Sequence, residues 1–524
     1  MTPTDLFTPE DRRNIAARGM ALATVVQQLD WFRSGFPFVR LQRPCTVEDG
    51  IVRLSPQEID RFSALHDQAA HAGRVLKFVP ASGAASRMFQ SLLNLANRTE
   101  PLTPAAIAAA ADSGDVDCQQ FRQLLANIEH FAFAADLRKV LARDGHTLDG
   151  IIHDGRYREL LAYLLTPQGL DYANLPKGLI QFHRYPDHSR TAFEEHLAEA
   201  TVYAQDGTRT AHVHFTVSAE HRAAIEAYLQ RVLPRYEQAG CRYDLTFSVQ
   251  KPASDTIAVD AHNQPFRDAH GELVFRPGGH GALLENLHDL RGDLIFIKNI
   301  DNVVPDHRKA ETYRYKKALC GYLVALQNAL FQHQHHLRQE SVTPAAIVDA
   351  MQFAREKLFL HLPEEVRHGE PATQRRFLLQ QLHRPLRVCG VVKNTGEPGG
   401  GPFWVQGQDG SASLQLVESS QVHMQAAGQR AIWQAATHFN PVDLVCGVRD
   451  FAGKPFDLHQ FTNPRTGFIS IKSKDGKELR ALELPGLWNG AMAAWHTIFV
   501  EVPLSTFNPV KTVYDLLRPE HRDG

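Results

Sequence analysis

Two small-residue segments far apart in the chain are built to let backbone amides approach a ligand. One is Val79-Pro80-Ala81-Ser82-Gly83-Ala84-Ala85-Ser86-Arg87-Met88, and the other is Pro277-Gly278-Gly279-His280-Gly281-Ala282-Leu283. In the first, Ser82, Gly83, Ala84 and Ala85 carry almost no side chain to hold a phosphate away. A following helix would present unpaired N–H groups from Ser86 onward. Arg87 adds a fixed planar cation suited to phosphate oxygens. The same residues also fit a tight strand-to-helix turn with Arg87 on the surface. No Gly-Lys-Ser/Thr follows, so this is not a P-loop. In the second, the rim of Gly278, Gly279, His280 and Gly281 would let a planar base slide onto the backbone. Its plainer reading is a loop ahead of a helix.

Two charged residues complete the set. Lys177, in Asn174-Leu175-Pro176-Lys177-Gly178-Leu179, is held between proline and glycine on a rigid turn; alone, such a lysine is usually solvated. Asp301 follows the apolar run Ile295-Phe296-Ile297-Lys298-Asn299-Ile300. A carboxylate just past the carboxyl end of a parallel strand is where α/β folds hold Mg²⁺, and it is equally where a turn aspartate sits. His212 and His214 lie two apart on a probable strand, hence on one face, but lack a third metal ligand. His333, His335 and His336 read as a solvated helix face.

The elements that must position these groups alternate. Residues 1–73 read as a helical extension, with Thr8-Pro9-Glu10-Asp11 as a capped helix start. Residues 74–79 read as a buried strand that ends in the first loop. Residues 90–172 read as a helical insertion. Strands then recur at Thr210–Val217, 244–249, Thr256–Val259 and 293–298, with helices at 219–236 and 281–290 between them. The pattern predicts an α/β fold: a mainly parallel, helix-flanked sheet. Long helices are expected near 308–338 and 344–361. From about 386 the chain is strand-rich and holds Trp404, Trp433, Trp488 and Trp495, four of its five tryptophans. The pentapeptide Thr103-Pro104-Ala105-Ala106-Ile107 recurs at 343–347; shared capping chemistry explains it better than duplication. The expected organisation is an extension (1–73), a core (74–460) and a closing region (461–524).

Composition narrows the partners. The chain has 524 residues, 56 basic and 58 acidic side chains and a formal charge of −2, which gives no electrostatic case for nucleic acid or an anionic membrane. The six cysteines are scattered and form no CxxC pair, consistent with free thiols in a reducing compartment. The start, MTPTDLFTPEDRRN, carries charges where a signal peptide needs an apolar core, and no apolar run is long enough to span a bilayer. With a mean hydropathy of −0.29, a soluble cytoplasmic protein is expected.

Taken in order, these residues resemble the sugar-1-phosphate nucleotidyltransferases of the GT-A-like fold, most of all the UDP-sugar and UDP-N-acetylhexosamine pyrophosphorylases. The chain also resembles a bacterial family of unknown function that carries VPASGAASRMF and RPGGHGAL. Ser82 to Arg87 stand where those enzymes have a Gly-Gly-x-Gly-Thr-Arg loop, and Pro176 to Gly178 where they have Pro-Lys-Gly. Gln250 and Pro252 match a Gln and a Pro ahead of the base-binding glycine loop, here Gly278 to Gly281. Asp301-Asn302 matches the metal-binding Asp-Asn. Glu418, in Val417-Glu418-Ser419-Ser420-Gln421-Val422, matches a sugar-reading segment, and Asn440, in Phe439-Asn440, matches the Phe-Asn that holds the sugar. Phe507-Asn508-Pro509-Val510-Lys511 matches a terminal Phe-Ser-Pro-Leu-Lys. The ordered match spans roughly 74–515.

The resemblance implies a Mg²⁺-dependent transfer between a nucleoside triphosphate, plausibly UTP, and a sugar-1-phosphate. Arg87, Lys177 and Asp301 would be catalytic, with Mg²⁺ on Asp301. Ser82 to Ser86, Gln250 and Gly278 to Gly281 would hold the nucleotide, and Glu418 and Asn440 the sugar. Lys393 and Lys511 would be further phosphate contacts. It requires a basic side chain, an acid-held cation and two small-residue loops to meet at one cleft. The pattern departs at Ser82 and Ala85, which replace glycines, at Ser419, which replaces a tyrosine, in the long stretch from Arg87 to Lys177, and at the unmatched 393–401 segment, which would suit a substrate loop. These changes keep a second class open, a nucleotide-sugar binding protein without catalysis. A glycosyltransferase would need an Asp-x-Asp that Ile300-Asp301-Asn302 does not supply, and a zinc hydrolase would rest on His212 and His214 alone. The sugar, the direction of flux and the oligomeric state are not legible.

Overall fold

The computed structural model describes residues 6–237, 240–396, 400–407, 409–474 and 476–522. Within the 393–401 segment singled out above, residues 397–399 lie outside the described residues. Seventeen strands are described. In chain order they are β1 (Leu41–Pro44), β2 (Ile51–Val52), β3 (Val75–Pro80), β4 (Gln181–Arg184), β5 (Ser189–Thr191), β6 (Thr210–Val217), β7 (Arg242–Val249), β8 (Thr256–Val259) and β9 (Phe275–Arg276). They continue with β10 (Leu294–Lys298), β11 (Leu386–Lys393), β12 (Gly401–Gln406), β13 (Ala412–Val417), β14 (His438–Gly447), β15 (Phe468–Lys474), β16 (Lys477–Glu483) and β17 (His496–Glu501). The chain divides into two compact units. The first is Met1–Phe78, Ser248–Ile297 and Tyr315–Leu504; the second is Val79–Phe247, Lys298–Arg314 and Ser505–Gly524.

The first unit is built on strands in the order β2-β17-β11-β14-β10-β3. β17 runs parallel to β2 and β11, β10 runs parallel to β3, and β14 is antiparallel to β11. The sheet is thus the parallel-rich α/β sheet that the alternation of elements predicts, with β14 reversed relative to β11. Near-continuous apolar runs such as Leu294–Lys298, buried throughout, are what a sheet covered on both faces requires. One face packs Phe78, Ile295, Ile297, Cys389, Leu444 and Phe499 against Leu283, Leu284 and Leu287 of the helix Leu283–Asp289. On the other face a Cβ at Gly390 would stand 3.3 Å from Leu319, so the helix Lys309–Arg338 closes in there. Satellite sheets β1-β12-β13 and β15-β16-β8-β9 complete this unit. The region before residue 73 is not wholly helical, because β1 and β2 interrupt its helices and pair with β12 and β17.

In the second unit Ala81, just past β3, donates its N–H to the carbonyl of Thr216 in β6. The helix Ala192–Tyr203 packs on β6, and its capping box joins Thr191 to Glu194. The insertion is helical as expected, from Gln90–Ala96 through Tyr157–Leu165. Both copies of Thr-Pro-Ala-Ala-Ile are helix starts, in which the Oγ of Thr103 and of Thr343 accepts from the N–H three residues on. All six cysteines are free and buried. No helix among the described residues is long and apolar enough to cross a membrane.

Candidate functional site

In the second unit the first loop leaves β3 and is stitched to the lysine turn. Ala84 forms an antiparallel bridge with Pro176. The N–H of Lys177 donates to the carbonyl of Gly83 (2.9 Å), and that of Ala85 to Leu175 (3.0 Å). These bonds return Lys177 to the loop across the whole helical insertion. Gly178 permits it: a Cβ there would stand 2.4 Å from the ring of Phe193. Lys177 Nζ then lies 2.6 Å from Asp301 Oδ2, with side chains 13% and 21% exposed.

Asp301 is fixed from both sides. His196 Nε2 bonds the carbonyl of Ile300 (3.2 Å), and the N–H of Val510 donates to the carbonyl of Asp301 (3.1 Å). Its neighbour Asn302 is buried and spent on structure. Asn302 Oδ1 accepts from the N–H of Asn508 (2.8 Å), and its Nδ2 donates to the carbonyl of Thr506 (3.3 Å). The 507–511 segment, whose Lys511 the resemblance offers as a phosphate contact, braces the Asp-Asn corner through Asn508. Lys511 is exposed, and its N–H donates to Asp515 (2.8 Å).

The loop itself differs from expectation in one respect. No α-helix begins at Ser86; Ala85–Arg87 is a single 3-10 turn, and the helix is Gln90–Ala96. The bond from Ala85 to Leu175 ties the chain down where a helix would start, and that N–H is spent. Ser82, Gly83, Ala84 and Arg87 remain exposed, and a Cβ at Gly83 would meet nothing within 4 Å. Arg87 pairs with no acid among the described residues.

The first unit holds the other group. The glycines of 278–281 are required by close packing against the chain itself. A Cβ at Gly278 would stand 2.6 Å from the carbonyl oxygen of Ser254, and one at Gly281 2.3 Å from that of Pro485. Gly279 has φ +73°, and a Cβ there would stand 2.7 Å from Glu483. His280 stacks on Trp488 (4.3 Å, 18°), and its Nδ1 accepts from the N–H of Leu487 (3.1 Å). Burial lowers the His280 pKa to about 4, so the ring is neutral. Glu418 Oε1 lies 3.6 Å from its Nε2, and burial raises the Glu418 carboxyl above its ordinary value.

Asn440 is buried near this group through Gly400. Its N–H donates to the Gly400 carbonyl (2.9 Å), and a Cβ on Gly400 would stand 3.5 Å from Glu418 Cγ. Its amide braces the backbone: Nδ2 donates to Gly390 (3.0 Å), and Oδ1 accepts from Val442 (3.0 Å), which sits at φ 56°. Gln250 Nε2 is buried and has no partner among the described residues. Lys393 is exposed, at the end of β11 opposite His438.

A buried charge network, missed in the sequence, stands behind the second-unit pair. Glu195 accepts from Tyr185 Oη (2.8 Å) and from Lys309, and is bonded to His183 Nδ1 (2.9 Å). His183 Nε2 meets His521 Nδ1 at 3.0 Å, and Lys298 meets Glu199 at 2.7 Å. The available signal was Glu194-Glu195-His196 inside an otherwise apolar helix. His212 bridges Asp206 and Asp244 (both 3.1 Å), whereas His214 is buried and bonded to Thr246 (2.8 Å).

A search of the curated proteins finds no match to the chain. Among solved structures it is similar to the UDP-glucose pyrophosphorylase of Leishmania major, at 12% identity and a TM-score of 0.43, covering 98% of this chain and 80% of that one. It is also similar to the uridine diphosphate N-acetylglucosamine pyrophosphorylase of Trypanosoma brucei (11%, TM-score 0.46, 94% and 74%). A UDP-glucose phosphorylase of Trypanosoma brucei is similar at 12%, TM-score 0.42, covering 98% and 80%. The family model described as "Domain of unknown function (DUF4301)" matches residues 8–522, and the chain belongs to that family.

Proposed function

We propose that the protein is a nucleotidyltransferase that forms or pyrophosphorolyses a nucleotide sugar, with a uridine nucleotide as the favoured substrate. The observation that supports this most is the contact between Lys177 and Asp301 beside an open, small-residue loop. In the proposed reaction a sugar-1-phosphate oxygen attacks the α-phosphorus of a nucleoside triphosphate in line, and pyrophosphate leaves. The attacking phosphate is already ionised, so no protein base is needed. The protein's task is to neutralise and align two polyanions.

Lys177 would turn from Asp301 toward the phosphates during transfer, and Arg87 with the exposed face of Ser82 to Ala84 would hold the departing pyrophosphate. Asp301 suits Mg²⁺: its Oδ2 faces Lys177, while Oδ1 has no partner among the described residues. Mg²⁺ usually takes one or two carboxylates and completes its shell with water and substrate phosphate. When bound it would offset the charge that builds on the phosphates. Asn302, committed to Asn508 and Thr506, would act by bracing Asp301. In the first unit Gln250, with its unpaired Nε2, and the Gly278 to Gly281 rim would read the base. Glu418 would bond sugar hydroxyls, and Asn440, the other sugar-binding candidate, has its amide committed to Gly390 and Val442 and would act by bracing the backbone there.

A second reading, nucleotide-sugar binding without turnover, is favoured by the altered first loop, where Ser82 and Ala85 replace glycines and the Ala85 N–H is spent on Leu175. Labelled pyrophosphate, Mg²⁺ and a panel of nucleotide sugars separate the two. Label entering a nucleoside triphosphate supports the transferase; tight binding of a nucleotide sugar without exchange supports the binding protein.

A further inference from the structure

The first unit contains a cavity of about 650 Å³ that none of the residues given a catalytic or binding role above lines, although Val417 and Gln421 of the segment around Glu418 do. Its walls come from residues 37–40, the ends of β12 and β13, and the turns at 463–466 and 489–493. The volume is within the range of small-molecule sites, ~300–1,000 Å³.

The charge in it is one-sided. Arg40 and Arg465 line it, and no aspartate or glutamate does. Both arginines are exposed, and neither guanidinium pairs with a carboxylate among the described residues. Two other exposed arginines of this unit do find acids, Arg43 with Asp49 and Arg53 with Glu501. Two unpaired planar cations on one cavity call for an anion.

The uncharged polar groups ask for something else. Asn489 is 3% exposed; its Nδ2 donates to Gln421 (3.1 Å), and its Oδ1 is buried with no partner among the described residues. Gln415 spends its Nε2 on Ser413 (3.1 Å) and the Ala493 carbonyl (2.8 Å), which leaves its Oε1 as an acceptor. Amide oxygens need donors. A carboxylate supplies none at neutral pH, and inorganic phosphate only P–OH groups on the anion itself, whereas a sugar carries several hydroxyls set away from its anionic group. Phe38 is 55% exposed and stacked on His423 (4.8 Å, 6°), a rigid platform for the C–H face of a ring.

We propose that this cavity is a second ligand site that binds a sugar carrying one anionic group, phosphate or carboxylate. The arginines hold the anion, the amide oxygens of Asn489 and Gln415 accept from hydroxyls, and Phe38 carries the ring.

Calorimetric titration of the full chain with glucose 6-phosphate, glucuronate, glucose and inorganic phosphate tests it. At least one anionic sugar binds saturably, and glucose and inorganic phosphate each bind at least about tenfold more weakly. Arg465→Ala weakens the anionic sugar about tenfold, and Arg40→Ala with Arg465→Ala removes binding; both side chains are exposed, so the fold is kept. Lys177→Ala binds as the parent does, which separates this site from the proposed transfer reaction. The inference is overturned if neither anionic sugar binds, if inorganic phosphate binds equally well, if the double variant binds normally, or if Lys177→Ala abolishes binding.

Discussion

Lys177 Nζ stands 2.6 Å from Asp301 Oδ2, although 124 positions separate them. Each is on a turn fixed by backbone bonds, Lys177 to Gly83 and Asp301 to Val510. The pair is therefore held by the scaffold and does not rely on two long side chains finding each other. Such preorganised charge is the usual source of transition-state stabilisation in transfer between polyanions.

Lys177→Ala and Asp301→Asn should each lower pyrophosphate exchange by about 10²–10³-fold, roughly 3–4 kcal/mol. The double variant should lose little more, because the two act on one phosphate group. Exchange rates of the three variants check this; wild-type rates in both single variants would remove the catalytic assignment.

The glycines separate structure from chemistry. Gly281→Ala places a Cβ 2.3 Å from the Pro485 carbonyl oxygen, and the expected loss is about 1–3 kcal/mol in denaturant unfolding. Gly83→Ala meets open space, so its stability should stay within about 0.5 kcal/mol of the parent. If Gly83→Ala nevertheless loses exchange, the added methyl obstructs the ligand and not the fold.

Asp301 is braced by Lys177 and by the backbone bond from Val510, so chelation should stop exchange and leave the melting temperature unchanged. Added Mg²⁺ should restore the rate. Exchange at full rate in excess chelator would exclude Mg²⁺ on Asp301.

Stability should fall in mild acid. Burial lowers the His214 pKa from 6.5 to about 4. Between those values the unfolded chain takes a proton that the folded one refuses, so stability is lost as pH falls through this window. His214 alone accounts for about 3 kcal/mol by the time pH reaches 4. Urea midpoints measured from pH 7 to 4 check it, and the slope should flatten when His214 is replaced by Phe.

Glu195 is buried completely. Burial would push its carboxyl up, but the Lys309 ammonium and then His183 hold it well below the ordinary range. Glu195→Gln leaves Lys309 bonded to Asp306 (2.8 Å), with Glu199 acting from farther away. The expected cost is about 3 kcal/mol in urea unfolding, and a loss below 1 would show the network to be uncoupled from stability.

The sequence alone determined the local elements. Apolar runs bounded by turn residues specify β3 and β10, and Thr-Pro starts specify the helices at 104 and 344, because strand burial and capping depend on neighbours in the chain. It also marked the small-residue loop, the lysine turn and Asp301 as chemically able. Only the tertiary structure decided that Lys177 meets Asp301, that Asn302 is spent on Asn508, and that the 278–281 glycines serve packing against Ser254 and Pro485. Those outcomes depend on contacts between segments 24 to 206 residues apart. Residue type cannot encode such contacts, because a glycine, an asparagine or a lysine is equally at home in a ligand site and in a backbone brace.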